Sequence, residues 1–153
     1  MRVITVRQPW AWAIVHGGKD VENRTRNIMG SYRGPVAIHA GVALAMEGFK
    51  DPTYQAARNA AGPVVRQVGL NRGSIVGVVD LVDVHVPDAF HGGHPFCWPG
   101  GWVTGNMCSP WAMDGHRHLE LANPRAIDPI PAKGKLGLWR PDAELLAQIE
   151  AAL

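Results

Sequence analysis

The chain has 153 residues and a formal net charge of +2, from 15 Lys and Arg against 13 Asp and Glu. That is the length of one ordinary domain, with too little charge to imply a polyanionic partner by itself. With 46% hydrophobic and 18% charged residues it is globular in composition. It has no apolar run of the roughly 18 residues that cross a bilayer, no signal-peptide pattern and too few cysteines for a disulfide framework, so a single cytoplasmic domain without membrane contact is expected over 1–153.

The 18 Gly and 12 Pro are spread along the chain and predict many short elements joined by tight turns. Arg2–Arg7 (RVITVR) alternates and is β-branched, the pattern of a first strand. Gln8-Pro9-Trp10 opens a short helix with Pro9 at its first position, running to about His16, and Gly17 and Gly18 end it. Lys19–Arg26 (KDVENRTR) reads as extended yet has no apolar face, so it is either a solvated edge or the wall of a polar pocket. Tyr32–Ala40 is an apolar strand ending in His39. Asp51-Pro52 caps a helix that Gly62 closes.

Ser74–Val86 (SIVGVVDLVDVHV) is the longest β run, and its regular alternation puts Asp80 and Asp83 on opposite faces. Pro87–Gly115 is rich in Gly, Pro, Trp and His and has little periodicity, as a long loop elaboration would. His118–Ile127 is extended and Lys135–Trp139 is a short last strand. Asp142–Leu153 is a helix with Leu145, Leu146, Ile149 and Leu153 on one stripe. Five or six short strands with three or four helices imply an α+β domain built on a small, partly closed β-barrel with flanking helices.

Several blocks carry a resemblance. Gln8-Pro9-Trp10-Ala11 with Ile14, Gly18-Lys19 and Val21-Glu22-Asn23-Arg24-Thr25 resembles the signature of the ASCH domain (activating-signal-cointegrator homology). Tyr32-Arg33-Gly34-Pro35, Ile38-His39-Ala40, Ile75–Val82, Asn123-Pro124-Arg125, Ile130-Pro131 and Gly134–Trp139 continue it in family order over nearly the whole chain. The resemblance implies a PUA-like barrel with a cleft between the first helix and the polar strand, used in the wider superfamily for RNA or modified nucleobases. It also implies a competing activity in that cleft, an amidohydrolase of acylated cytidine or a ribonuclease.

The residues themselves point to the same cleft. The polar strand and the end of the first helix bring Lys19, Glu22 and Arg24 close together. For catalysis, Lys19, Glu22 and Asp80 are the candidates. The amidohydrolase branch has a Lys-x-x-Thr arrangement on this strand, whereas here Glu22 follows Lys19, so Glu22 would have to activate water. For ligand binding, the candidates are Gln8, Trp10, Arg24, Arg26, Arg33, His39 and His118, with Trp10 stacking a base and the cations holding phosphate. Two or three phosphate contacts on single-stranded RNA would give a log–log salt slope of roughly −1.5 to −2. Asp80, set in an apolar run, needs a partner, for which Lys19 and Arg24 are candidates.

His91, His94, Cys97 and Cys108 are of the residue types that bind zinc, and His116 and His118 are further donors. Their spacing matches no familiar finger, so no metal is assigned and incidental His and Cys in a loop are expected. No phosphate-loop spacing occurs either, and no cofactor is expected.

Overall fold

Alternating β-branched residues make Arg2–Gln8 the first strand, β1, and the break at Pro9 starts a seven-residue helix, α1 (Trp10–His16). The computed structural model describes residues 1–63, 65, 69–87, 97 and 107–153. After α1 come β2 (Val21–Arg24), β3 (Gly34–Leu44), a 3₁₀ turn at Met46–Lys50, α2 (Pro52–Ala60), β4 (Ser74–His85), β5 (Arg117–Pro131), β6 (Leu138–Trp139) and α3 (Ala143–Ala151).

The six strands form one sheet in the order β2-β5-β4-β3-β1-β6, antiparallel except for the parallel pair β1–β3. It curls into the expected partly closed barrel, α+β in class, with β2 and β6 as its unjoined edges. Strand β4 matches its expected run to within one residue, while β3 and β5 are longer than expected and β5, not β4, is the longest. No described helix is long and apolar enough to cross a membrane.

Both faces of the central strands are buried, which explains their nearly continuous apolar sequence. Ile4, Val6, Val36, Ile38, Val79 and Leu81 point to one side and pack with Ala11, Ile14 and Val15 of α1. Val3, Ala37 and Val78 point to the other and pack with Trp139 and Ile149 of α3. Burying a side chain of the size of Ile149 stabilises the fold by about 1.5–3 kcal/mol. The helix α1 lies so close to β4 that a Cβ on Gly77 would stand 2.8 Å from both Val15 Cγ2 and Arg125 O. A larger residue there would push the helix off the sheet.

Three local expectations are corrected. Pro9 precedes the helix as its N-cap residue, across a cis Gln8–Pro9 peptide, so the first helical position is Trp10. The apolar stripe on α3 is shorter than its spacing suggested, because the helix ends at Ala151 and Leu153 lies exposed beyond it. Asp80 and Asp83 follow no simple alternation, since register shifts between Val78 and Asp80 and between Leu81 and Asp83 interrupt the ladder to β5. The Asp51 cap is as expected, its carboxylate accepting from Tyr54 N at 2.9 Å.

Candidate functional site

The backbone leaves α1 through Gly17 and Gly18, the latter at φ +69°, and this turn brings Lys19 back under the helix that precedes it. Lys19 N donates to Ala13 O at 2.9 Å, so the residue's own backbone closes the helix end. Its side chain is then carried inward and is only 4% exposed. The ammonium donates to Val21 O and stands 3.4 Å from Glu22 Oε2. It also lies 5.7 Å from the ring centre of Trp10 and 5.8 Å from that of Trp111, a double cation–π arrangement.

Glu22 and Arg24 both project from β2 on the same side, being two residues apart. Arg24 Nη2 lies 3.1 Å from Glu22 Oε1 and donates to Thr5 O at 3.0 Å, tying β2 to β1 across the opening of the barrel. Arg24 Nε is buried and has no hydrogen-bond partner among the described residues. Both Glu22 oxygens are thus committed to cations. Burial pushes the Lys19 amine below its ordinary value of 10.5, while the Glu22 carboxylate pulls in the opposite direction.

Around this triad lies a cavity of about 630 Å³ whose walls include Thr5, Trp10, Lys19, Glu22, Arg24 and Trp111. Trp10 is half-buried and meets Tyr54 and Trp111 edge-on, with both ring centres at 6.4 Å. The far wall is the segment 107–116. Asn23, projecting away from Glu22, holds it from both sides, donating through Nδ2 to Trp111 O at 2.8 Å and accepting at Oδ1 from Met113 N at 2.9 Å. Ser109 adds a hydrogen bond to Asp20, and its Oγ accepts from Trp111 N at 3.0 Å.

Of the sequence candidates, the structure brings Trp10, Lys19, Glu22 and Arg24 together in this cavity. The others lie elsewhere. Asp80 is bound to Asn123 Nδ2 at 2.9 Å and Arg125 Nη2 at 2.8 Å, and has neither Lys19 nor Arg24 as its partner. The Asn123 bond, then that of Arg125, holds its carboxyl below the ordinary 3.8. Gln8 is a buried structural residue, accepting from Trp12 N and donating to Asn71 O, both at 2.9 Å. It lines a second cavity of about 430 Å³ with Trp12 and His16. Arg26 is exposed past the end of β2. Arg33 pairs with Asp83 at 3.0 Å. His39 is buried, its Nε2 donating to Ala132 O at 2.9 Å, with Trp139 edge-on to the ring.

His118, also proposed from the sequence as a ligand-binding residue, faces Cys97 and Cys108. His91 and His94 lie outside the described residues. Sequence reasoning missed Asn23, Thr5 and Trp111 as parts of the cleft. The available signal for Trp111 was a tryptophan in an aperiodic, Gly- and Pro-rich stretch, which a protein retains at a binding surface more readily than in a solvated loop.

The family model of the ASCH domain matches residues 4–131, and the chain belongs to the ASCH domain family. The fold is similar to that of the ASCH protein of Zymomonas mobilis, 17% identical, covering 99% of this chain and 95% of that one, with a TM-score of 0.55. A single-substitution variant of that protein is 18% identical, covering 99% of this chain and 98% of its own, with a TM-score of 0.54. At that identity the likeness is one of fold. No curated protein matches the sequence.

Proposed function

We propose that the chain binds RNA or a modified nucleoside and takes one nucleobase into the cleft between α1, β2 and the 107–116 segment. The observation that carries this reading is the half-buried Trp10 ring set beside a polar wall in a cavity of about 630 Å³. An indole offers any base a stacking face, worth roughly 1–3 kcal/mol per base. Arg24, whose side chain is 29% exposed, presents its guanidinium on the cavity wall as a donor for a base edge. Membership of the ASCH family supports the same reading, since PUA-like domains of this class bind RNA.

The cations favour a base over a long phosphate backbone. Lys19 and Arg24 share the one carboxylate of Glu22, which leaves a single net positive charge, Arg33 pairs with Asp83, and Arg7 at the rim faces Glu47 at 3.7 Å. Tryptophan fluorescence titrations with a panel of nucleosides and single-stranded RNA oligonucleotides test the proposal. Saturable binding is expected, weakened about 5- to 150-fold in Trp10→Ala and largely kept in Trp10→Phe. Binding that is indifferent to Trp10→Ala would place the ligand elsewhere.

A hydrolase reading rests on one further observation, the buried Lys19 amine with its lowered proton affinity beside a carboxylate. In that reading Glu22 activates water and Lys19 stabilises the developing anion, without Asp80. Turnover of N4-acylcytidine or of an RNA oligonucleotide, abolished in Glu22→Gln, would establish it. Binding without product formation leaves the cleft a recognition site.

A further inference from the structure

The second cluster of reactive side chains lies where β4 and β5 meet at their far end. His85 and His118 are directly opposed across the β4–β5 ladder, with ring centres 5.2 Å apart. The connection between these two strands returns Cys97 and Cys108 to the same place, and one ligand atom from each of the four residues lies within 4.8 Å of every other. We propose that His85, Cys97, Cys108 and His118 form a structural zinc site that fastens the long β4–β5 connection to the sheet.

The donor geometry supports this at the level of single atoms. His118 Nδ1 is 3.3 Å from both Cys97 Sγ and Cys108 Sγ. Zinc–sulfur bonds of about 2.3 Å and zinc–nitrogen bonds of about 2.0–2.1 Å at a tetrahedral angle require S···N separations of about 3.5 Å. The ring is also held for ligation. His118 Nε2 lies 2.8 Å from Met113 O, which can only accept, so the proton sits on Nε2 and the lone pair of the neutral ring on Nδ1.

His85 is fixed in the complementary way. Its Nδ1 lies 3.1 Å from Glu120 Oε1 and donates to that carboxylate, while Nε2 is buried and has no hydrogen-bond partner among the described residues. A buried ring nitrogen left without a partner costs about 1–3 kcal/mol, which a metal bond would recover. A carboxylate on one histidine and a backbone carbonyl on the other are the outer contacts that orient zinc-binding imidazoles.

Two cysteines and two histidines fill all four positions around zinc, leaving none for substrate, so the site is structural. Binding would release the two thiol protons to solvent and leave the complex of two thiolates and Zn²⁺ neutral. The consequence for the cleft is positional. Cys108 and His118 bracket residues 109–117, which carry Ser109, Trp111 and Met113, so a metal at this point would anchor the far wall of the cavity. The inference does not rest on the nucleobase reading, because the four donors and their outer contacts lie outside the Lys19–Glu22–Arg24 triad.

The test uses the full chain, kept under reductant, with Zn²⁺ and Co²⁺ as probes. Elemental analysis should find one zinc per chain after expression in zinc-supplemented medium. Co²⁺ added to the metal-free protein should give the intense d–d absorption of a tetrahedral site together with a thiolate-to-cobalt charge-transfer band. Cys108 is exposed, so Cys108→Ser should fold and lose the charge-transfer intensity of one thiolate. Glu120→Gln should keep both bands and weaken affinity about 10- to 100-fold. Cobalt that binds without a charge-transfer band, or zinc content unchanged in the Cys97→Ser, Cys108→Ser double variant, would overturn the proposal. So would a Cys97–Cys108 disulfide in a metal-free protein that resists reduction.

Discussion

The cleft and the Cys/His cluster bury comparable numbers of polar side chains but balance them in opposite ways. In the cleft, the Lys19 ammonium and the Arg24 guanidinium share one carboxylate, Glu22, so both cations have a partner within the protein and one net positive charge faces the cavity. In the cluster, two sulfurs and two imidazole nitrogens converge, and the nearest charged partner of His85 is the Glu120 carboxylate. Buried ionic groups are stable only when their charge and hydrogen-bonding needs are met. The first region meets them from its own sequence and keeps an open cavity for a ligand. The second is a set of electron-pair donors that calls for a cation from outside.

This contrast is most exposed at Glu22. Replacing it with Ala leaves Lys19 as an uncompensated buried cation and the half-buried Arg24 without its carboxylate, and breaking a buried pair in this way costs about 3–5 kcal/mol. Urea unfolding should register that loss. The double variant Lys19→Met, Glu22→Leu should recover most of it, because apolar replacement of a buried pair is often neutral. A cost below about 1 kcal/mol would mean that Lys19 is already uncharged in the folded protein, and the internal balance described above would not hold.

Asn23 separates the two regions from the other direction. Asn23→Ala removes the bonds to Trp111 O and Met113 N, leaving two backbone groups of the cleft wall without their partner. The expected cost is about 1–3 kcal/mol, seen as a lower midpoint in urea and weaker ligand binding. Metal affinity should fall less, since Asn23 is not itself a donor, although it faces His118 across the β2–β5 ladder and holds Met113, whose carbonyl accepts from His118. An equal loss of both functions would show that the 107–116 segment behaves as one unit.

How much of this was legible depended on whether a local pattern or a distant partner decided the outcome. The strand β1, the helix α1 and the Asp51 cap follow from alternation and capping chemistry within a few residues. Lys19, Glu22 and Arg24 were legible because a polar strand in an otherwise apolar sheet is costly unless it lines a pocket. Asp80 was misplaced because the irregularities of the β4–β5 ladder are invisible in the sequence. The extra β5 residue opposite Val78–Asp80, where Asn123 takes φ +50°, sets Arg125 and Asn123 beside the Asp80 carboxylate. His85 was missed as a member of the Cys/His set for a related reason. Its nearness to His118 is a matter of register between strands separated by a long connection, and no spacing rule encodes register.

The pH dependence of stability follows from Lys19. Its proton affinity is lowered in the folded chain, and an unfolded lysine titrates near 10.5. Between those two values the unfolded chain binds more protons, so stability rises with pH, with a slope of at most about 1.4 kcal/mol per unit for one proton. Below the folded-state value the penalty for the buried charge is constant. The rise should be measured short of pH ~10, above which Tyr32 and Tyr54, both raised by burial from 10.0, act in the opposite direction. In Lys19→Met the slope should flatten. An unchanged slope would assign the titration to another group.

The smallest expected effect is the response of ligand binding to salt. From the sequence, Lys19, Arg24, Arg26 and Arg33 would together make two or three phosphate contacts and a log–log slope of roughly −1.5 to −2. The structure spends most of those charges internally, with Lys19 and Arg24 on Glu22 and Arg33 on Asp83. Lys50 lies on the wall of the cavity and is the cation best placed for a single phosphate. One contact on single-stranded RNA gives a slope of about −0.7, or about a threefold loss of affinity between 50 and 200 mM salt. A free nucleoside, with no phosphate, should show no such loss, because stacking on Trp10 and hydrogen bonds to the polar wall displace few counterions. Calorimetric titrations of an RNA oligonucleotide and its component nucleosides at both salt concentrations would measure the difference. A slope near −2 for the oligonucleotide would require Glu22 and Asp83 to release their cations on binding, and the internal balance that distinguishes the cleft from the Cys/His cluster would then hold only in the unbound protein.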